Sequence, residues 1–214
     1  MKPVIVITFL LVLFSSRFVQ AGILANGSFE SGAFVPNSDN TMSLLNGATT
    51  MTGWTVIGDS IAWIGTPNPF SFNPSEGSFF LDLTDYPVGS PYGGVRQAIS
   101  TIPFAVYTIS FDVGAAYGVS KVQVSAGDLS DIGIASSSGA ATWTKYTSFF
   151  SAQSALTTID LLGIEGSVGG SYIGLDNVVV ELHQLPNAVP EPCMFLIGTA
   201  FGLGGLIAKR RMKK

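Results

Sequence analysis

Two side chains that could carry out chemistry occur once each: His183, the only imidazole available as a general base, and Cys193, the only thiol. Gly58-Asp59-Ser60 offers a serine that needs such a base to become a nucleophile. Asp176, however, stands seven residues before His183, with the strand-like run Val178-Val179-Val180 between them, so no catalytic spacing results. Glycoside hydrolysis needs two acids flanking one sugar with separated pKa values. Asp82, Asp85, Asp112 and Asp128 are scattered, and no spacing singles out a pair. One cysteine excludes an intramolecular disulfide or a thiolate metal cluster, and there is no Gly-rich phosphate loop or histidine metal motif. Aromatic rings remain, and flat rings stack on the C–H faces of sugars. Trp54 and Trp143 lie in strand-like runs where core packing is the usual task, and Trp63 is the third indole. Tyr86, Tyr92 and Tyr117 lie in Gly- or Pro-punctuated segments that should be exposed, which makes them the candidate glycan contacts.

Those residues must be positioned by strands. The chain of 214 residues is 47% hydrophobic but only 11% charged and holds 25 glycines, a composition suited to short strands and tight turns. Strand-like runs recur at 78–83, 94–99, 106–113, 119–125, 142–150, 157–162 and 172–182, separated by Gly, Pro, Ser and Asn, and they predict an all-β antiparallel sandwich. Alternation is clearest from Val106 to Val113, where Tyr107, Ile109, Phe111 and Val113 should face inward. Asn46-Gly47 predicts a type I′ hairpin turn. Three prolines between Pro67 and Pro74 predict an ordered surface loop, and Ala135 to Ala140 a small flexible connection.

The two ends differ from this body. Residues 1–21 have the pattern of a secretory signal peptide, with Lys2, an apolar core from Val4 to Phe14, and Ala21 before Gly22. The body, 22–184, carries a net charge of about −10, which argues against nucleic acid as a partner. A linker, 185–192, ends in Pro190-Glu191-Pro192; an apolar run, 193–208, follows as a single transmembrane helix; and 209–214 contains the five cations Lys209, Arg210, Arg211, Lys213 and Lys214 as a cytoplasmic tail. This order of motif, apolar segment and basic cluster resembles the PEP-CTERM sorting signal. The resemblance implies Sec export, transient anchoring in the inner membrane with the body in the periplasm, and release by an exosortase to the cell surface or extracellular matrix.

The body resembles the galactose-binding-like jelly rolls, which include several carbohydrate-binding modules and the extracellular DUF642 group. The residues that carry this likeness are Asn26-Gly27-Ser28-Phe29-Glu30, Gly53-Trp54, Phe80-Leu81-Asp82-Leu83, Gln97, Tyr107 to Asp112, Trp143, and Ile173-Gly174-Leu175-Asp176-Asn177-Val178. The resemblance implies a jelly-roll β-sandwich and a structural calcium held by Glu30 and Asp176. Gly58-Asp59-Ser60 is also similar to the nucleophile triplet of the GDSL hydrolases, but their closely spaced Asp and His are lacking here. The expected function is therefore non-catalytic: binding to, or incorporation in, extracellular polysaccharide. The alternatives are a structural, self-associating surface protein and a hydrolase.

Overall fold

The alternating run that begins at Val106 becomes a ten-residue strand in which Tyr107, Ile109, Phe111 and Val113 are buried, as the period of two requires. The structure, a computed structural model, describes residues 23–85, 91–166 and 172–186. The signal peptide, Tyr86, Pro190-Glu191-Pro192, the apolar run and the five terminal cations lie outside the described residues. No helix among the described residues is long and apolar enough to cross a membrane.

The strands are β1 (Thr41–Leu44), β2 (Thr55–Gly58), β3 (Ile61–Gly65), β4 (Phe79–Asp82), β5 (Gly93–Ser100), β6 (Val106–Ala115), β7 (Gly118–Ala126), β8 (Leu129–Ser137), β9 (Thr142–Ser151), β10 (Leu156–Glu165) and β11 (Gly174–Gln184). One sheet has the order β1-β3-β4-β11-β6-β9 and the other β2-β5-β10-β7-β8. Counted from β4, the last eight strands divide between the sheets as β4-β11-β6-β9 facing β5-β10-β7-β8, the strand order of a jelly roll. β1 and β3 widen the first sheet and β2 the second.

Two sequence expectations are corrected here. β8 takes in Ala135 to Ser137, the first half of the stretch read as a flexible connection; in this strand Gly133 and Ala135 turn inward, and Gly133 lies so close to Phe111 that an added Cβ would be 2.9 Å from the ring. Small residues are used there because a large partner fills the space, a reason that single-strand propensity cannot convey. Asn46-Gly47 also turns the chain, with Ala48 N–H donating to Leu45 C=O at 2.9 Å, but only Gly47 has positive φ. A type I′ turn needs both central residues there, so this is a turn of type II pattern, and β1 pairs with β3 instead of with β2.

The opening motif ties the two sheets together. Gln97 on β5 donates to Ala25 C=O at 2.9 Å and accepts from Ala25 N–H at 2.7 Å, while Val178 N–H on β11 donates to Gly27 C=O at 2.9 Å. Gly27 is required by proximity, because a Cβ there would sit 1.9 Å from the Val178 carbonyl oxygen. Trp54 and Trp63 are both buried and donate their indole N–H groups to Asn26 C=O and Phe29 C=O at 2.8 and 3.1 Å. Both are core residues, with their one polar atom satisfied by the opening motif.

Candidate functional site

The strand registers line up residues from β11, β6 and β9 across the outer face of the six-stranded sheet. Four rungs result: Gly174, Gly114 and Trp143; Asp176, Asp112 and Lys145; Val179, Ser110 and Thr147; and Glu181, Thr108 and Phe149. A bulge between Asp176 and Val179, with Asn177 at φ 52°, keeps the face in phase on β11. The first rung lies at the end where β6 finishes, called here the upper end. The fourth lies at the lower end, where β6 starts and β9 and β11 finish.

The proline-rich loop covers the upper rung. It is ordered, as its prolines suggest: the Asn68 side-chain amide donates to Phe72 C=O at 2.9 Å, and the Asn68 Oδ1 accepts from Phe70 N–H at 3.1 Å. Phe72 is thereby pressed onto the sheet, 4.9 Å from Trp143, 5.1 Å from Phe80 and 5.8 Å from Tyr172 between ring centroids. Gly114 and Gly174 provide the floor for these rings; a Cβ on Gly114 would come within 2.5 Å of Phe72 and 2.8 Å of Trp143. Trp143 is half-buried and donates to Asn73 C=O at 2.9 Å. Its packing role is in this second aromatic layer outside the sheet, and not between the sheets.

The second rung holds the loop's continuation, Ser75 to Phe79. Asp176, buried, accepts from Ser75 N–H and Glu76 N–H at 2.8 and 3.0 Å through Oδ2, and from Asn177 N–H at 2.6 Å through Oδ1. Ser75 Oγ spans the two facing carboxylates, 2.8 Å from Asp112 Oδ2 and 3.1 Å from Asp176 Oδ2. Burial pushes the Asp176 carboxyl up to about 7, against the lowering effect of these donors. Glu30 grips the same segment further along, accepting from Ser78 and Phe79 N–H at 2.8 and 2.9 Å through Oε1. Glu30 and Asp176 thus each hold part of one loop segment, 75–79. Calcium takes six to eight oxygen ligands; in the structure Glu30 Oε1 and both Asp176 oxygens accept from amide or hydroxyl protons. Among the described residues no three acids, histidines or cysteines gather. Together these contacts make a hydrogen-bonded latch between Glu30, Asp112, Asp176 and the segment Ser75 to Phe79.

Below the latch the face is open. Phe149 on β9 is 53% exposed, and the His183 ring packs edge-on against it, with centroids 4.7 Å apart and planes at 61°. Around this pair lie Thr108, Ser110, Thr147, Glu181 and Lys145. Trp143 to Phe149 spans six residues of strand, roughly 20 Å. Phe149 was legible as a candidate: in Phe149-Phe150 two adjacent rings on a strand must face opposite ways, so one had to point outward. His183 is exposed, belongs to β11 and supports the ring.

The other expected residues are placed elsewhere. Tyr92 and Tyr117 are both at the upper end, before β5 and between β6 and β7. Tyr92 is half-buried against the core and its hydroxyl accepts from Gly166 N–H at 3.4 Å, whereas Tyr117 is 70% exposed with φ 59°. Gly58-Asp59-Ser60 forms the β2–β3 turn, also at the upper end, where Asp59 Oδ1 accepts from Ser60 N–H at 2.9 Å. His183 is at the lower end, so the structure brings no base to that serine. Asp82 is buried near Asp85, accepts from Thr84 N–H at 3.0 Å and from Thr84 Oγ at 2.8 Å, and is pushed up to about 6 by burial. Asp128 is engaged locally, accepting from Ser151 N–H at 2.6 Å.

Solved structures similar to this chain include the module TmCBM61 in complex with β-1,4-galactotriose, at 16% identity and a TM-score of 0.45, covering 77% of this chain and 100% of that one. A family 35 carbohydrate binding module from Clostridium thermocellum is similar at 13% identity and a TM-score of 0.42, covering 66% and 99%. The CBM22-1 xylan-binding domain of Paenibacillus barcinonensis Xyn10C is similar at 16% identity and a TM-score of 0.40, covering 68% and 94%. What those modules bind is a property of those modules. No curated protein matches the sequence. A family model described as protein of unknown function (DUF642) matches residues 22–167, more than half of the chain and most of the sandwich. The resemblance carried by the opening motif and the β4–β6 strands is thus one of descent, and the chain belongs to the DUF642 family.

Proposed function

We propose that this protein is an exported, non-catalytic, glycan-binding jelly roll whose binding strip is the open lower part of the outer face. The observation that carries this reading is Phe149. Its ring is half in water on a regular strand face, supported from one side by His183 and surrounded by threonine and serine hydroxyls. A flat apolar platform with hydrogen-bonding side chains beside it matches the two faces of a sugar ring, and strands hold such a surface rigidly. The covered upper rung cannot serve in the same way, because Phe72 already occupies it.

Phe149→Ala is expected to weaken binding of the full-length protein to the host's extracellular polysaccharide about tenfold, equivalent to ~1.4 kcal/mol for one buried ring face. The exposed position should leave the melting temperature unchanged. Affinity electrophoresis of the wild type, Phe149→Ala and Tyr117→Ala decides the location. Loss of binding with Tyr117→Ala alone would move the site to the upper loops, and no binding by the wild type would favour a self-associating surface protein.

The same reading takes the sequence of residues 185–214 as a PEP-type sorting signal. Sec export, a transient stay in the inner membrane and an exosortase would then deliver the sandwich to the cell surface or matrix. We also infer that Glu30 and Asp176 act as a latch without an ion. Chelation with EDTA should therefore leave the melting temperature within about 1 °C of its value in millimolar calcium, since only a ligand bound to the folded state shifts that value. A rise of several degrees with calcium would restore the ion site.

A further inference from the structure

Five residues, Thr101-Ile102-Pro103-Phe104-Ala105, connect β5 to β6 at the lower end. Ala105 N–H donates to Ile102 C=O at 3.1 Å, Pro103 occupies the first central position, and Phe104 has φ 63°. This is the pattern of a type II turn with a phenylalanine at the position that favours glycine. Residues with a Cβ are disfavoured there, bulky ones especially. The ring gains little packing in exchange, since Phe104 is 70% exposed. Its backbone is nevertheless held, with Phe104 N–H donating to Ala152 C=O at 2.7 Å.

Other exposed apolar side chains share this end. Ile102 is in the same turn. Leu156 starts β10 opposite Ser100, and Thr101 N–H donates to Ala155 C=O at 2.9 Å beside it. Leu185 follows Gln184, which lies opposite Val106. The chain leaves the sandwich here too. From Pro186 to Cys193, where the apolar run begins, there are seven residues, at most about 25 Å of extended chain. A body tethered that closely by a membrane segment must turn one end to the bilayer.

We propose that the lower end is a lipid-contacting tip, with Phe104 and Ile102 entering the headgroup region and Leu156 and Leu185 beside them. The proposal rests on the reading of residues 193–208 as a membrane anchor. A strained turn that displays a large ring is otherwise without benefit to the fold, whereas apolar groups about 5–10 Å deep at the headgroup–acyl boundary gain burial.

The test uses the full chain, with Cys193→Ser, reconstituted in vesicles of phosphatidylethanolamine and phosphatidylglycerol. A fluorophore is attached at Phe104→Cys or, as a reference at the opposite end, at the exposed Ser138→Cys. Spin-labelled lipid is expected to quench the probe at 104 roughly threefold more than the probe at 138, because quenching requires contact with the headgroup region. Equal quenching in a chain that floats with the vesicles overturns the tip and leaves the anchor standing. A chain that does not float overturns both. A second variant removes the ambiguity of folding: Phe104→Gly fits the turn better, so the melting temperature should rise while quenching of a probe at Ile102→Cys falls. A lower melting temperature in that variant would assign the ring a packing role and sink the proposal.

Discussion

Asp176→Ala should lower the stability of the folded chain by ~3 kcal/mol, because three backbone amides and a serine hydroxyl lose their acceptor at a buried position, each at about 1–3 kcal/mol before water compensates. Glu76 is exposed and Ser75 and Asn177 are half-buried, so water recovers part of this loss and the net falls just below the summed range. Glu30→Ala removes the acceptor of two amides at the more exposed end of the same segment and should cost only ~1 kcal/mol. The pair of variants tests the latch as a whole. If urea unfolding gave the two substitutions equal cost, burial of Asp176 would not be the source of its effect. The consequence for the site is direct. The segment Ser75 to Phe79 is continuous with the loop that seats Phe72 on Gly114 and Gly174, so Asp176→Ala should also loosen the aromatic layer around Trp143, visible as a red shift of its fluorescence.

Stability should fall as pH rises from about 4 to about 7, the reverse of the usual acid denaturation. Asp82 and Asp176 have ordinary values of 3.8 in the unfolded chain and are raised to about 6 and about 7 in the fold, both chiefly by burial. Between those values the folded chain binds protons that the unfolded chain has released, so each pH unit costs up to ~1.4 kcal/mol per group. Their contribution is complete below about pH 4 and is lost as pH passes the folded values; above about pH 7 the profile should level. Asp82 alone accounts for ~3 kcal/mol over its interval. Urea unfolding at about pH 4.5 and about pH 8 measures the difference. Asp82→Asn, a neutral isostere that keeps an acceptor for Thr84 and Ile173, should flatten the slope below about pH 6. A profile unchanged by that substitution would remove Asp82 as its cause. The charge of nearby Asp85 opposes ionisation of Asp82 and so adds to the effect.

Both predictions concern acids that the sequence displayed without saying what they do. Asp82 and Asp112 were visible as scattered carboxylates, and Glu30 and Asp176 were paired only through family resemblance. Asp112 faces Asp176 because β6 and β11 are neighbours in this register, and Glu30 reaches the same loop from a segment before β1. Loop residues 75–79, which complete the latch, contribute backbone amides, and a backbone amide has no signature in sequence.

What the sequence by itself determined was the material of the fold. The period of two from Val106 to Val113 assigned the inward side chains, because successive residues of a strand must point to opposite faces. The prolines of 67–74 excluded a central strand, and Phe149-Phe150, adjacent on one strand, had to face opposite sides of the sheet. Tertiary structure alone decided which residues stand side by side. Glu181, Thr108 and Phe149 form one rung, and Gly174, Gly114 and Trp143 another, only because three strands far apart in sequence settle in one register. The same packing made a strand of the small residues of β8 by bringing Phe111 against Gly133. Side-chain direction is a local property of the backbone, whereas adjacency across a sheet is fixed by the collective burial of both inner faces.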